Sequence, residues 1–288
     1  MINFLKYRWL YFLISSICIL IGLFSIFKWR YNFSIEFTGG TIIEYQLDKK
    51  MNLNNLKNLL TKEKIEVIDM KLTDNRLFLK TKPLDKKIES SIKTLLEKNF
   101  RVKTNLLKSE TIGPTIGEET IRKTIIASFL AILGILIYIS FAFHGFKYAL
   151  SAVLAMIHDF LILMGSYSLI SHFFNAQFDT MFVTAVLTTM SFSVHDTIVI
   201  FDKIREYIKD EGKENMVYFA NKALTETMVR SINNSMTIIF MLLALTLLGG
   251  STIRFFSLAL LIGTVTGTYS SPFVATPIFI LLSEKNKK

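Results

Sequence analysis

The stretch TMFVTAVLTTMSFSVHDTIVIF, residues 180–201, decides the fold class of this chain. It is long enough to cross a lipid bilayer as a helix, which takes about 20 apolar residues. Asp196 is its one formal charge. A carboxylate in hydrocarbon costs several kcal/mol unless it is protonated, paired or solvated. The stretch therefore predicts a membrane span, and Asp196 predicts a functional site inside it.

Five more apolar stretches are long enough to cross a bilayer, at 10–27, 124–142, 148–170, 231–249 and 255–282. The chain of 288 residues is 51% hydrophobic, and its mean hydropathy is +0.42. We therefore expect an α-helical membrane bundle of six transmembrane helices. Its parts are a first span within 1–27, a polar region at 28–123, and a five-helix domain at 124–288 with a cytoplasmic loop at 202–230. The first stretch lacks a small-residue cleavage pattern, which predicts an uncleaved anchor.

The distribution of lysine and arginine predicts the orientation of the spans. Short basic segments lie at Lys6, Arg8, Lys147, 202–230 and 283–288, all on one side if the spans alternate. Such segments stay in the cytoplasm, whereas long domains cross the membrane regardless of charge. We expect cytoplasmic N- and C-termini, with region 28–123 on the opposite side of the membrane.

Region 28–123 alternates short strand patterns with short helix patterns. Strands are predicted at 41–47, 67–72, 76–81 and 102–107, and helices at 53–64 and 88–99. The order βαββαβ predicts an α+β, ferredoxin-like domain placed between the first two transmembrane helices.

Polar residues inside the apolar stretches are the candidate functional groups. Asp196 and Arg230 lie toward the cytoplasmic ends of the fourth and fifth spans, so the acid and the base can share a depth. A carboxyl in a low dielectric favours its protonated form, and a nearby guanidinium favours the charged form. We therefore predict a proton-coupling pair. Asp159, deeper in the third span, is a weaker candidate for the same role. His158 and His195 are also weaker candidates, because each adjoins an Asp in sequence and so points to a different helix face, which argues against a simple His–Asp pair. A static pair or a snorkelling Asp196 is the structural alternative.

Glycine and proline mark two further features. Gly39 and Gly40 stand where the first helix meets the polar region, and Gly113 with Pro114 stands where the chain returns to the membrane. Each is interpreted as a hinge or a tight turn, with an ordinary loop as the alternative. Gly263 and Gly267, four residues apart in the last span, predict close helix packing.

Several classes of function lack support in the residues. Four histidines and one cysteine show no metal-ligand spacing, so we expect no metal. The basic residues are scattered without a nucleic-acid-binding motif, which argues against a nucleic-acid partner. We find no nucleophile–base pair or paired catalytic acids, so we expect no enzymatic activity and no cofactor beyond a proton gradient. The lipid bilayer is the partner that the composition requires.

A set of short motifs occurs in a fixed order along the chain. They are FTGGT at 37–41, GP at 113–114, AMIHD at 155–159, DTIV at 196–199, FDKIRE at 201–206, GG at 249–250, LIG at 261–263 and GTYSS at 267–271. This ordered set resembles the SecD/SecF family, accessory subunits of the bacterial Sec protein-export machinery, over essentially the whole chain.

The resemblance implies a multi-pass protein of the bacterial inner membrane with a periplasmic domain at 28–123. It implies pairing with SecD, engagement of the SecYEG channel with YajC as a further associate, and use of the proton motive force in late steps of preprotein translocation. It also implies proton coupling by Asp196 and Arg230. The chain departs from the family pattern at His195, where Asn is usual, and at Ser34 and Glu36, where Gly and Asp are usual.

Two other functions are compatible with the same residues. A half-unit of a proton-driven exporter of small molecules or lipids would use the same bundle and would need a ligand cavity. A passive assembly scaffold would need no ionisable group in the membrane.

Overall fold

The computed structural model describes residues 2–49, 51–63, 65–73, 75–142, 145–212 and 215–284. The chain forms two compact units, a helical unit of Met1–Asn32 with Ile126–Lys288 and an α+β unit of Phe33–Ile125. The α+β unit is close in extent to the polar region 28–123, with both boundaries shifted toward the C-terminus.

The helices are α1 (Arg8–Trp29), α2 (Ile35–Thr38), α3 (Leu53–Lys62), α4 (Lys86–Phe100), α5 (Pro114–Ala142), α6 (Phe146–Phe174), α7 (Thr180–Glu211), α8 (Met216–Leu248), α9 (Ser251–Ser270) and α10 (Thr276–Glu284). The strands are β1 (Asn32–Phe33), β2 (Gly40–Leu47), β3 (Val67–Thr73), β4 (Arg76–Thr81), β5 (Thr104–Ile112) and β6 (Gln177–Phe178). A 3₁₀ turn at Phe4–Tyr7 precedes α1, and a π-helical turn at Ser271–Ala275 joins α9 to α10.

Six helical segments of the described chain are long and apolar enough to cross a membrane. They are Phe4–Trp29, α5, α6, α7, α8 and the combined segment Ile253–Glu284. The prediction of a six-helix membrane bundle is therefore confirmed.

Several helices extend well past the apolar stretches that predicted them. Most of the segment expected as a cytoplasmic loop, 202–230, is helical, because α7 continues to Glu211 and α8 already begins at Met216. Gly212, with a φ of +85°, ends α7, and the Asn215 side chain accepts a hydrogen bond from the backbone N–H of Tyr218 to begin α8. Charged residues continue a helix as readily as apolar ones, so hydropathy located the membrane core but not the helix ends.

The α+β unit contains a four-stranded antiparallel sheet in the order β3–β4–β2–β5. The element order is βαββαβ, as the sequence predicted. One face of the sheet supplies a closed apolar core with α3 and α4: Ile43, Tyr45, Leu77, Leu79, Leu56, Leu60, Ile92 and Leu96. The last strand runs over Thr104–Ile112 rather than the predicted 102–107. Its second half is charged and exposed, and pairing with β2 holds it extended where hydropathy gave no signal.

Lys80 is a buried charged residue of this unit. It is 8% exposed, and its Nζ donates a hydrogen bond to the Phe33 carbonyl at 2.6 Å. Burial lowers the pKa of the Lys80 amine, an effect partly offset by the nearby Asp69 carboxylate. A buried lysine of this kind is tolerated because its ammonium group keeps a hydrogen-bond acceptor.

In the helical unit, α1 and α6 pack in register along their length. Gly22 lies against Gly165, the Ser25 and Ser168 hydroxyls are 2.9 Å apart, and the Trp29 and His172 rings stack at 4.3 Å. From one pair to the next, the residue numbers rise on both helices, so α1 and α6 run in the same direction. Small residues at the contact let the two backbones approach closely.

Helices α7 and α9 form a second parallel pair. A Cβ atom added to Gly263 would collide with the Thr189 side chain, and one added to Gly267 would lie 3.1 Å from the Ser193 Cα. The Thr197 hydroxyl is 2.9 Å from that of Ser271. Gly263 and Gly267 thus lie at the α7–α9 contact, which places Asp196 on a helix packed tightly against its neighbour.

Candidate functional site

Asp196 lies at a small cavity between α7, α8 and α9. Asp196 is 9% exposed, and the volume of the cavity is about 30 Å³. That volume holds about two water molecules. The polar lining consists of Ser193, His195, Asp196, Asn234, Ser235, Thr264 and Thr268. A carboxyl group placed here is withdrawn from bulk solvent but keeps polar neighbours.

Arg230 acts on this carboxylate from the start of the membrane part of α8. Arg230 is the permanent positive charge that acts on Asp196, His195 adjoins it on α7, and the Ser231 side chain offers it a hydrogen bond. Within the described chain, no nitrogen of the Arg230 guanidinium lies within 4.0 Å of a carboxylate oxygen of Asp196. The acid and the base are therefore neighbours without a direct contact, and their separation can change without breaking a bond.

Asp159 is the centre of a second buried polar cluster, and it is 5% exposed. Its Oδ2 accepts hydrogen bonds from the hydroxyl of Ser193 on α7 at 2.5 Å and from that of Ser270 on α9 at 2.6 Å. Its Oδ1 lies 2.8 Å from His158 Nδ1, and His158 Nε2 lies 2.9 Å from the Ser15 hydroxyl on α1. One carboxyl group thus connects four helices.

The contact between His158 and Asp159 corrects the expectation that adjacent residues would not pair. Successive side chains leave a helix about 100° apart, given 3.6 residues per turn. The imidazole is long enough to turn back along the helix, and the Ser15 contact on α1 holds it there. His195 and Asp196, by contrast, do not pair, as expected. Both line the cavity, but in the described chain no hydrogen bond joins them.

A π-helical turn lies beside this cluster. Ser271 begins the turn, and its hydroxyl donates to the Ser193 carbonyl at 3.2 Å. Pro272 follows directly and has no backbone N–H to donate, which favours a local change in helical pitch. Single π turns occur often at functional sites. The turn therefore lies at the point where the last span meets Ser193.

Gly39 and Gly40 lie at a tight turn within the α+β unit. Their φ angles are +66° and +128°, a region that favours glycine. A Cβ on Gly39 would be 3.0 Å from the Pro114 Cα, and a Cβ on Gly117 would be 2.9 Å from the Gly39 backbone nitrogen. The turn is therefore packed directly against the first turn of α5. The tight turn that the sequence predicted is therefore present and closely packed. Its action as a hinge stays a prediction.

We expect Gly40→Ala to destabilise the α+β unit. The new Cβ would lie 2.6 Å from the Thr81 carbonyl oxygen, in a backbone conformation that costs about 1–3 kcal/mol for other residues. Limited proteolysis of the full chain should cut the unit faster. Gly113→Ala is the matched control, since nothing lies within 4 Å of its Cβ position. Equal protease resistance of the two variants would contradict this account.

Sequence reasoning missed the hydroxyl groups that surround Asp159. Ser193, Ser270 and Ser15 are small neutral residues, and such residues are common in membrane helices for packing reasons alone.

Sequence reasoning also missed a polar cluster where α7 and α8 extend beyond the membrane core. There the Tyr207 hydroxyl donates to Glu226 at 2.5 Å, and Lys222 lies 4.1 Å from the Tyr207 ring centroid. Among the described residues, no cluster of His, Cys, Asp and Glu is arranged to hold a metal ion.

Two family models match the chain. The model described as the C-terminal part of the protein export membrane proteins SecD/SecF matches residues 91–285, and the SecD/SecF GG motif matches residues 32–51. The first match spans α5 to α10, with Asp159, Asp196 and Arg230, and the second contains Gly39 and Gly40. The chain belongs to the SecD/SecF family. The resemblance inferred from the motifs is thereby confirmed.

Individual members of this family are similar to this chain over nearly its whole length. The protein translocase subunit SecF of Thermobaculum terrenum is 36% identical, covering 100% of this chain and 95% of the relative. That of Pseudomonas aeruginosa is 34% identical, covering 98% and 92%. The crystal structure of SecDF, a translocon-associated membrane protein from Thermus thermophilus, matches with a TM-score of 0.85 and 29% identity over 99% of this chain. The chain spans 39% of that solved chain.

Proposed function

We propose that this protein is an accessory subunit of the Sec protein-export machinery that couples the proton motive force to preprotein translocation. Family membership supports the export role, and the buried acid at Asp196 carries the proposal of proton coupling. Apart from O–H bonds in proton binding and release, the protein makes and breaks no covalent bond in this role. Its work is a cycle of protonation and helix movement.

The coupling follows from the position of Asp196 between α7 and α8. In its charged form the carboxylate is stabilised by Arg230, by the Ser231 hydroxyl and by any water in the cavity. A proton removes that charge and with it the attraction to Arg230. Since acid and base stand on different helices, each protonation changes the preferred spacing of α7 and α8. A proton gradient can then drive the bundle between two arrangements.

A second membrane subunit fits both the size of the chain and its surface. The solved SecDF chain is much longer than this one, and this chain matches only 39% of it. The most apolar windows of α5 and α8 are only 6% and 17% buried within the chain. Their exposed apolar sides suit lipid or a SecD-type partner, and the SecYEG channel and YajC would associate with that pair.

The proposed placement is the bacterial inner membrane. Basic residues at Lys6, Arg8 and Lys147 favour cytoplasmic ends, with the α+β unit in the periplasm. The parallel pairs α1–α6 and α7–α9 join the first span to the third and the fourth to the sixth, as alternating crossings require. The α+β unit would then meet the preprotein as it leaves the channel.

The cavity at Asp196 weighs against a small-molecule exporter that binds its substrate at this acid. Its volume is about 30 Å³, whereas small-molecule sites have volumes of about 300–1,000 Å³. Water and protons fit this space, and a drug-sized ligand does not. A passive scaffold, in turn, gives no reason to keep a buried acid in the membrane, because such a group is costly.

Export by inverted membrane vesicles tests this function. Vesicles from cells with and without this chain are given a labelled preprotein, with the proton gradient intact or dissipated by an ionophore. We expect the gradient to increase the exported fraction only when the chain is present. Equal stimulation in vesicles that lack the chain would contradict the proposal and favour a scaffold.

A further inference from the structure

Ser193 is the residue where the two buried polar clusters meet. Its side chain lines the cavity at Asp196, and its hydroxyl donates to Asp159 Oδ2 at 2.5 Å. Ser193 and Asp196 are three residues apart on α7 and therefore neighbours on one helix face. Ser193 is thus a cavity-lining residue whose side chain bonds directly to Asp159.

Beyond Asp159, the polar chain continues toward α1. His158 Nδ1 faces Asp159 Oδ1, and His158 Nε2 faces the Ser15 hydroxyl. Ser15 can donate onward to the Tyr269 hydroxyl at 3.5 Å, and that hydroxyl donates to the Tyr11 carbonyl at 3.2 Å. With His158 protonated on both nitrogens, each donor in this chain has one acceptor. With His158 neutral, Ser15 rotates and donates to Nε2. Both protonation states are therefore fully hydrogen-bonded.

We propose that Asp159 and His158 form a second proton-binding site of the bundle, and that Ser193 passes protons between it and the cavity at Asp196. The proposal deepens the proposed function and rests on it for its biological purpose. It names a residue, Ser193, and a site that the Asp196–Arg230 pair does not include.

The transfer balances without any other reactant. Ser193 gives its hydroxyl proton to Asp159 Oδ2 and takes one from the cavity, so one proton moves and no bond other than O–H changes. When Asp159 carries its proton on Oδ1 and neutral His158 carries its own on Nε2, Asp159 can pass that proton to His158 Nδ1 while Ser193 supplies another to Oδ2. The ionisable groups near Asp159 in the described chain are His158 on its own helix, Tyr269 on α9, which Ser15 joins to His158, and Asp196 on α7, which lines the same cavity as Ser193.

Ser270 distinguishes this role from a purely structural one. Its hydroxyl donates to the same oxygen of Asp159 at 2.6 Å, and it is completely buried, as Ser193 nearly is. Ser270 is not part of the cavity lining, and its contact with that lining is to the Gly267 carbonyl, which has no proton to give. Removing either hydroxyl therefore costs Asp159 one equivalent hydrogen bond, but only removal of the Ser193 hydroxyl breaks the link to the cavity.

The test is a pH-jump infrared measurement on the full chain in lipid vesicles. On acidification, the band of a protonated carboxyl group should appear in the wild type and be lost in Asp159→Asn, which assigns it. Ser193→Ala should slow the appearance of that band by about a hundredfold or more, the lower end of what a positioned proton carrier contributes. Ser270→Ala should stay within about twofold of the wild-type rate. Thermal unfolding of each variant confirms that it is folded.

Two results would overturn the inference. A spectrum of Asp159→Asn identical to that of the wild type would mean that Asp159 takes up no proton. Equal slowing in Ser193→Ala and Ser270→Ala would mean that Ser193 only holds the carboxylate in place. Both readouts are independent of export, so the inference can fail while gradient-driven export stands, and export can fail to depend on the gradient while Asp159 still titrates.

Discussion

Asp196→Asn should leave the protein folded and assembled but remove the response of export to the proton gradient. Asparagine has nearly the same shape and can still accept the hydrogen bond offered by Ser231, so packing around the cavity is preserved. It cannot take up a proton, and the electrostatic attraction between α7 and Arg230 no longer changes. We expect export by inverted vesicles to fall to the level seen without a gradient, and the gradient-independent part to remain.

The matched control is Asp202→Asn, on the same helix. The Asp202 side chain is 59% exposed and forms an ion pair with Arg205 at 3.4 Å. An exposed pair of this kind contributes about 0–1 kcal/mol, so this variant should keep full gradient stimulation. Co-purification with the SecD-type partner shows that both variants assemble. Wild-type stimulation in Asp196→Asn, or equal loss in Asp202→Asn, would contradict proton coupling at this site.

Gly165→Leu should prevent the chain from accumulating in folded form. A Cβ on Gly165 would lie 2.5 Å from the Gly22 Cα, so the obstacle is backbone that cannot move aside like a side chain. Leucine would push α1 away from α6, with loss of the contact between the Ser25 and Ser168 hydroxyls. We expect a loss of about 3 kcal/mol or more from overpacking together with broken interhelical hydrogen bonds. Size-exclusion chromatography of a fluorescent fusion in detergent measures the folded yield.

Gly134→Leu provides the control for this variant. Gly134 is also in an apolar membrane helix, α5, but nothing lies within 4 Å of its Cβ position. Leucine there adds apolar surface without a collision, and the folded yield should match that of the wild type. A normal yield from Gly165→Leu would mean that the close α1–α6 contact is not required for folding.

The membrane architecture could be predicted because its signal is strong and local. Each span needs a long apolar run, and the six runs correspond to six helices. The α+β order followed from short periodic patterns in the same way. Helix ends were less predictable, as at Glu211 and Met216, because a helix that leaves the bilayer changes its composition without changing its backbone.

The candidate site could be predicted only in part. Asp196 and Asp159 stood out because charge in an apolar run is rare. Their partners did not, because Ser193 and Ser270 become donors to Asp159 only when three helices come together. The pairing of His158 with Asp159 was wrongly predicted for a related reason. The spacing of two residues describes their starting directions, and the contact with Ser15 on another helix decides where the ring points.

The in-register match of α1 with α6 also has a consequence for biosynthesis. The hydroxyl pair Ser25–Ser168 is 143 residues apart in sequence. While the ribosome makes the intervening chain, α1 is in the bilayer without α6, and its face with Gly22 and Ser25 is not yet packed against another helix. Contacts of such long sequence separation form late, since the chain entropy of closing the loop must be overcome first. The first helix to enter the membrane is therefore among the last to find its final neighbour.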